Sequence, residues 1–185
     1  AALGANTTGT QNVAIGKGAL LNNTDQSNNT AVGYHALDAN TGGSSLVAIG
    51  NNTLVANTTG DNNTAVGANA LDANTTASGN TALGYAALGA NTTGTENVSV
   101  GAYSMLDNTT GGQNTALGES ALANNTTASN NTAIGKNTLV ANTTGAQNTA
   151  VGALALDANT TANDNTGVGY AALGANTTGV NNVAL

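Results

Sequence analysis

The sequence predicts an all-β chain, a parallel β-solenoid (β-roll) of about eleven 17-residue coils. Three observations predict it. A repeat runs through the chain without losing register, the composition is too lean in bulky and charged residues for an ordinary globular core, and the aliphatic residues stay in fixed columns.

The repeat comes first, because a fixed period changes the meaning of every residue inside it. Gly16, Gly33, Gly50, Gly67, Gly84, Gly101, Gly118, Gly135, Gly152 and Gly169 each close a run of the NTAVG type, 17 residues after the one before. No insertion or deletion interrupts the series from Ala1 to Leu185, so residues 1–185 read as one continuous array and not as a globular domain. There are 25 glycines, no Pro, Cys, Trp or Phe, and 6% charged residues. Disordered chains of low hydrophobicity combine it with high charge and Pro, and have no physical reason to hold aliphatic residues at fixed places.

Within each copy, Thr, Asn, Val and Gly at the centre leave no amphipathic run long enough for a helix. The segment Asn-Thr/Val-Ala-Val/Ile/Leu reads as a short strand ended by Gly. The Ala-Leu run after it reads as a second short extended segment ended by Asn-Thr-Thr-Gly. Stacked coils at the inter-strand spacing of about 4.7–4.9 Å give a rod of roughly 50 Å. A lone coil cannot bury its apolar residues, whereas identical coils laid on one another bury them continuously.

Two columns are expected to form that core. One stands just before the anchor Gly: Ile15, Val32, Ile49, Val66, Leu83, Val100, Leu117, Ile134, Val151 and Val168. The other stands four residues after it: Leu20, Leu37, Leu54, Leu71, Leu88, Met105, Leu122, Leu139, Leu156 and Leu173. On this reading, placing Asp at Val100 costs several kcal/mol and replacing Thr92 far less. Deleting one residue between Gly84 and Gly101 throws the ladder out of register and damages the rod more than a conservative substitution.

Seven residues after the Gly every copy has Asn: Asn23, Asn40, Asn57, Asn74, Asn91, Asn108, Asn125, Asn142, Asn159 and Asn176. Asn tolerates left-handed turns, and stacked amides can hydrogen-bond from coil to coil as a ladder. A second Asn column precedes the Gly by four residues, with Leu46 as its one departure.

The runs NVAIG (Asn12 to Gly16), NTAVG (Asn63 to Gly67) and NTAIG (Asn131 to Gly135) resemble the head repeats of YadA-like trimeric autotransporter adhesins and related bacterial and phage fibre proteins. The resemblance covers the whole chain and rests on a five-residue motif; family repeats are shorter, and the ANTT segment departs from them. It implies a left-handed β-roll, three chains in one fibre, an extracellular, cell-surface or virion location, and binding to host or cell surfaces. Nothing in residues 1–185 resembles the family's coiled-coil stalk, membrane anchor or chaperone domain, and the array is expected to be an excerpt of a longer fibre chain. No stretch of eighteen apolar residues suggests membrane insertion of this segment.

Chemistry-bearing residues are scarce. With His35 as the single His, Lys17 and Lys136 as the only Lys/Arg and no Cys, neither a metal site nor a Ser/His/Asp triad has partners, so no catalytic residue, cofactor or metal is expected. His35 reads as a solvated surface variant. A formal charge of −7 leaves no basic stripe for nucleic acid. Tyr34, Tyr85, Tyr103 and Tyr170 read as scattered surface rings and not as a sugar-stacking platform. The N-x-T pattern at Asn57, Asn74 and their equivalents matches a glycosylation acceptor, but turn Asn and ladder Thr account for it more simply.

Two function classes remain: a non-catalytic shaft or head segment of an extracellular fibre or adhesin, and an ice- or polysaccharide-binding solenoid with one flat face. The latter usually shows Thr two apart on a strand, whereas Thr58-Thr59 and Thr75-Thr76 are adjacent. In the NTAVG strand Thr64 and Val66 share one face and Ala65 takes the other. Both faces are uncharged, which suits packing of parallel chains, a trimer by the resemblance. The column of Ala31, Ala65, Ala82, Ala116 and Ala150 is expected near the interchain contact.

Overall fold

A computed structural model describes all residues, 1–185. The strands are β1 (Val13–Ile15), β2 (Thr30–Val32), β3 (Val47–Ile49), β4 (Thr64–Val66), β5 (Thr81–Leu83), β6 (Val98–Val100), β7 (Thr115–Leu117), β8 (Thr132–Ile134), β9 (Thr149–Val151), β10 (Thr166–Val168) and β11 (Val183–Ala184). They form one 11-stranded sheet in sequence order. Pairing is parallel, each residue beside the one 17 positions on, as in Val13↔Thr30, Ala14↔Ala31 and Ile15↔Val32. The fold is the β-solenoid that the repeat predicts, with no helix in the chain.

Each coil closes through backbone conformations that L-residues rarely adopt. The anchor glycines have φ between 119° and 143°. A Cβ at Gly50 would lie 2.6 Å from the Gly67 carbonyl oxygen of the next coil, so stacking itself excludes a side chain. The Leu column also sits in the left-handed region, with φ 49° at Leu20 and 55° at Leu88. That costs about 1–2 kcal/mol per residue. Full burial of a Leu side chain returns about 1.5–3 kcal/mol, and the interior has no alternative large residue to fill it.

The interior is narrow. Leu20, Leu37, Leu54, Leu71, Leu88, Met105, Leu122, Leu139 and Leu156 are wholly buried, and Leu173 in the last coil packs partly covered against them. Around this column lie alanines three residues after the anchor, such as Ala36, Ala70 and Ala87, and those at the strand centres. Where a small polar residue replaces Ala, it is paired: Ser99 Oγ donates to the Ser104 carbonyl at 2.8 Å and Thr53 Oγ1 to the Gly67 carbonyl at 2.7 Å.

Two asparagine ladders close the other side of the coil. Asn74 Nδ2 donates to Asn57 Oδ1 of the preceding coil at 2.8 Å and to the Ala77 carbonyl at 3.1 Å, tying stack and turn together. The pattern runs from Asn23 through Asn40, Asn57, Asn91, Asn108, Asn125 and Asn142 to Asn159. Asn176 bonds only within its own turn, to Gly179, and Asn159 Oδ1 is left without a donor. In the second ladder a backbone N–H bonds the Oδ1 one coil back, as Asn80 to Asn63 at 2.9 Å. Buried amides cost little when so fully paired, and they fix the register.

Two expectations are corrected. The column before the anchor is not core: Ile15, Val32, Ile49, Val66, Leu83, Val100, Leu117, Ile134, Val151 and Val168 all lie on the outer face of the sheet, none of them buried. Conversely Ala31, Ala65, Ala82, Ala116 and Ala150 are fully buried inside the single chain and cannot touch another. The strand alternates as expected, but the interior takes the small side chain, because the Leu column already occupies the space a second aliphatic column needs.

Candidate interaction face

The outer sheet face presents two residues per strand. One column mixes Thr and Val, as in Val13, Thr30, Val47, Thr64 and Thr81, and the other is the aliphatic column. No charged residue lies in either column. Exposure reaches 60% at Ile15, 47% at Leu83 and 44% at Leu117. From Ile15 to Ile134 the aliphatic side chains alternate between exposed and half-exposed from coil to coil, so the face is ridged along the rod.

Polar residues border this face on the side after the anchor. The Lys17 ammonium lies 5.8 Å from the Tyr34 ring centroid, and Lys136 Nζ is 2.9 Å from Glu119 Oε2 one coil away. Tyr85 and Tyr103 pack edge to face at 5.3 Å, while Tyr34 is 4.1 Å from the His35 ring. All four tyrosines are exposed, and only Tyr85 and Tyr103 meet. His35, expected as a freely solvated residue, is partly covered and its Nδ1 pairs with Asp38 Oδ2. That pairing spans one turn of a single coil.

On the opposite side, the two threonines of Asn-Thr-Thr have different environments. Thr58 Oγ1 donates to the Thr75 carbonyl of the next coil at 3.0 Å, and Thr75, Thr92, Thr109 and Thr126 repeat the bond. The second threonines, such as Thr59, Thr76 and Thr93, are exposed. Asp72 is half-buried, and burial raises its carboxyl above the ordinary value of 3.8 despite hydrogen bonds from the Asp72 and Ala73 N–H groups.

The surface contains no cavity, no three His, Cys, Asp or Glu side chains converge, and no helix is long and apolar enough to cross a membrane. No family model, curated protein or solved structure matches this chain. The arrangement offers extended surface contact and no enclosed chemistry. The aliphatic residues of this outer face, Ile15 and its equivalents, were expected in the core, and the Thr/Val column beside them shares the face by the strand alternation.

Proposed function

We propose that this chain is a non-catalytic structural segment of an extracellular fibre or adhesin, a rod that projects or attaches a surface and associates in parallel with copies of itself, three by the family resemblance. The uncharged aliphatic outer face carries this reading. A strip about 50 Å long and roughly 12 Å wide covers some 600 Å², from the strand spacing and two side-chain columns. Isolated soluble chains rarely leave an apolar patch of that size bare. Burying it against parallel copies would remove it from water, and the strict 17-residue register within each chain suits side-by-side packing of equivalent coils. The association face is therefore the aliphatic column and its Thr/Val neighbours, in place of the Ala column first expected there. A host or cell-surface ligand would bind elsewhere on such a fibre.

A second reading, an ice- or polysaccharide-binding plane, is favoured by one observation. Thr64 and Val66, like Thr30 and Val32, stand two apart on a strand and both face outward, the spacing that such planes use. Both readings need the same face, so one measurement separates them. Light scattering on the purified chain is expected to give a multiple of 17.7 kDa that persists on dilution, without thermal hysteresis. A monomer that keeps its β-sheet signal and shapes ice crystals reverses the order.

A further inference from the structure

The sequence contains two kinds of N-x-T pattern, and the fold separates them. In the N-T-T kind the Asn is the ladder residue: Asn57, Asn74, Asn91 and Asn108 are fully buried, each Nδ2 already donating to two oxygens. In the N-N-T kind the acceptor Asn precedes that position or lies elsewhere on the coil. Asn28, Asn51, Asn62, Asn124 and Asn130 are all exposed, and none of their side-chain amides has a partner within the chain. Asn22 is also exposed, but its Nδ2 donates to the Asp38 carbonyl at 2.8 Å.

Asn28, Asn62 and Asn130 share one corner of the coil, with φ 64°, 57° and 62°. The left-handed turn makes a corner of the chain there, at the border of the outer sheet face. Asn28 and Asn62 are two coils apart, roughly 9–10 Å along the rod, which leaves a vacant coil between two bulky substituents.

We infer that the folded array accepts N-linked glycans at the N-N-T asparagines Asn28, Asn62 and Asn130, and not at its buried N-T-T asparagines. This rests on the extracellular reading above for its setting. The donor is a lipid-diphosphate-linked oligosaccharide. The Asn Nδ2 forms a bond to C1 of the first sugar, the bond from C1 to the diphosphate oxygen breaks, one amide proton is lost, and the lipid diphosphate leaves with the electron pair. At a ladder Asn the same step would put a sugar inside the coil and remove a proton from an amide that donates two hydrogen bonds. At Asn28, Asn62 and Asn130 it disturbs no bond within the chain, and the threonine of the pattern, Thr30, Thr64 or Thr132, is not buried. At Asn51 and Asn124 that threonine, Thr53 or Thr126, already donates its hydroxyl to a carbonyl of the next coil.

The test uses the purified, folded full chain with an oligosaccharyltransferase and its lipid-linked donor. Enzymatic deglycosylation in ¹⁸O-water then marks each occupied Asn as labelled Asp for peptide mass spectrometry. Synthetic peptides spanning Asn57 and Asn62 provide the unfolded comparison, in which both patterns are accessible. Occupancy on the folded chain is expected at Asn28, Asn62 and Asn130, lower at Asn22, Asn51 and Asn124, and roughly tenfold or more lower at the buried N-T-T sites from Asn57 through Asn142, where access requires local opening. Equal labelling of the two classes on the folded chain, or Asn28, Asn62 and Asn130 left bare while the Asn62 peptide is modified, overturns the inference. Because the reaction uses purified components, its outcome is independent of where the chain resides, and the fibre reading stands or falls separately on the association measurement.

Discussion

Ala116 and Leu117 are neighbours on β7, one wholly buried and the other 44% exposed. The larger and more apolar of the two faces water in the single chain. The same inversion recurs along the sheet, with Ala65 inside and Val66 outside on β4, and Ala82 inside and Leu83 outside on β5. Hydrophobicity alone would place them the other way round. The inner face meets the Leu column and the asparagine ladders across a narrow coil, so volume decides who enters. The outer face has no such limit, and its aliphatic side chains are free to meet a second surface.

The sharpest way to break this comparison is to exchange the sizes. Ala116→Leu forces extra methylenes into a stack held above and below by identical coils, and is expected to cost about 3 kcal/mol, the upper end of overpacking effects. Leu117→Ala should change the stability of the isolated chain by no more than about 1 kcal/mol, the span of strand propensities at a surface position. Urea unfolding of both variants gives the two numbers. Comparable losses at both positions would mean that the outer column is packed within the chain after all.

Val100→Asp addresses the outer face alone. The loss of several kcal/mol that a core position would impose is replaced by an expected cost of about 0.5–1 kcal/mol to the single chain, since the carboxylate remains hydrated. Association is where the effect falls. A charge in the middle of an apolar contact must be desolvated in every copy at once, so the variant is expected to sediment as a monomer with its β-sheet circular dichroism intact. An oligomer that survives Val100→Asp would place the contact on another face.

Why the repeat was legible in the sequence and the side of the strand was not can be seen at Thr64, Ala65 and Val66. Alternation states that Thr64 and Val66 share a face, but it is satisfied whichever face is buried. Only the competition for interior space with Leu71 and its equivalents breaks the tie, and that competition exists only once the coil is closed. The Leu column and the ladder at Asn57 and Asn74 were legible because each type recurs in a place where one physical role, filling or pairing, accounts for it. The His35–Asp38 pair was not, because a single pair in one coil produces no periodic signal. The aliphatic column of the candidate face was thus named residue by residue but expected in the core, while its Thr/Val column drew no assignment.

A smaller effect sharpens the contrast between the two ladders. The one at Asn57 and Asn74 is continuous from Asn23 to Asn159, but the other is interrupted by the buried Leu46. Leu46 N–H still bonds Asn29 Oδ1 at 3.0 Å, while Asn63 N–H, one coil on, has no Oδ1 to bond, unlike Asn80, Asn97 and Asn114. Leu46→Asn supplies that acceptor and a new donor. Satisfying the buried N–H and adding one bond is worth about 2–4 kcal/mol, against about 1.5–3 kcal/mol of lost Leu burial. A net gain of about 0.5–1 kcal/mol is expected, read as a rise in the urea midpoint without a change in slope. A lower midpoint would show that filling outweighs pairing at this place.

The smallest effect belongs to Asp72, which lies between the inner and outer environments. The next coil passes close above it, so that a Cβ at Gly89 would be 3.4 Å from Asp72 Oδ1. Burial raises its folded carboxyl above 3.8, more than the two N–H bonds lower it. The folded chain therefore holds this proton more tightly than the unfolded one. The resulting contribution to stability is fully present below the unfolded value of 3.8 and is lost as pH rises through the folded value. Asp72→Asn removes the titration and keeps the shape. Relative to the parent, its melting temperature is expected to rise between acid pH and neutrality and then stay level, an increment kept small by the part of the carboxylate that water still reaches. A difference that instead falls with rising pH would mean that the ionised carboxylate is held by its N–H donors more strongly than burial disfavours it, and Asp72 would then belong with the paired polar groups of the ladders.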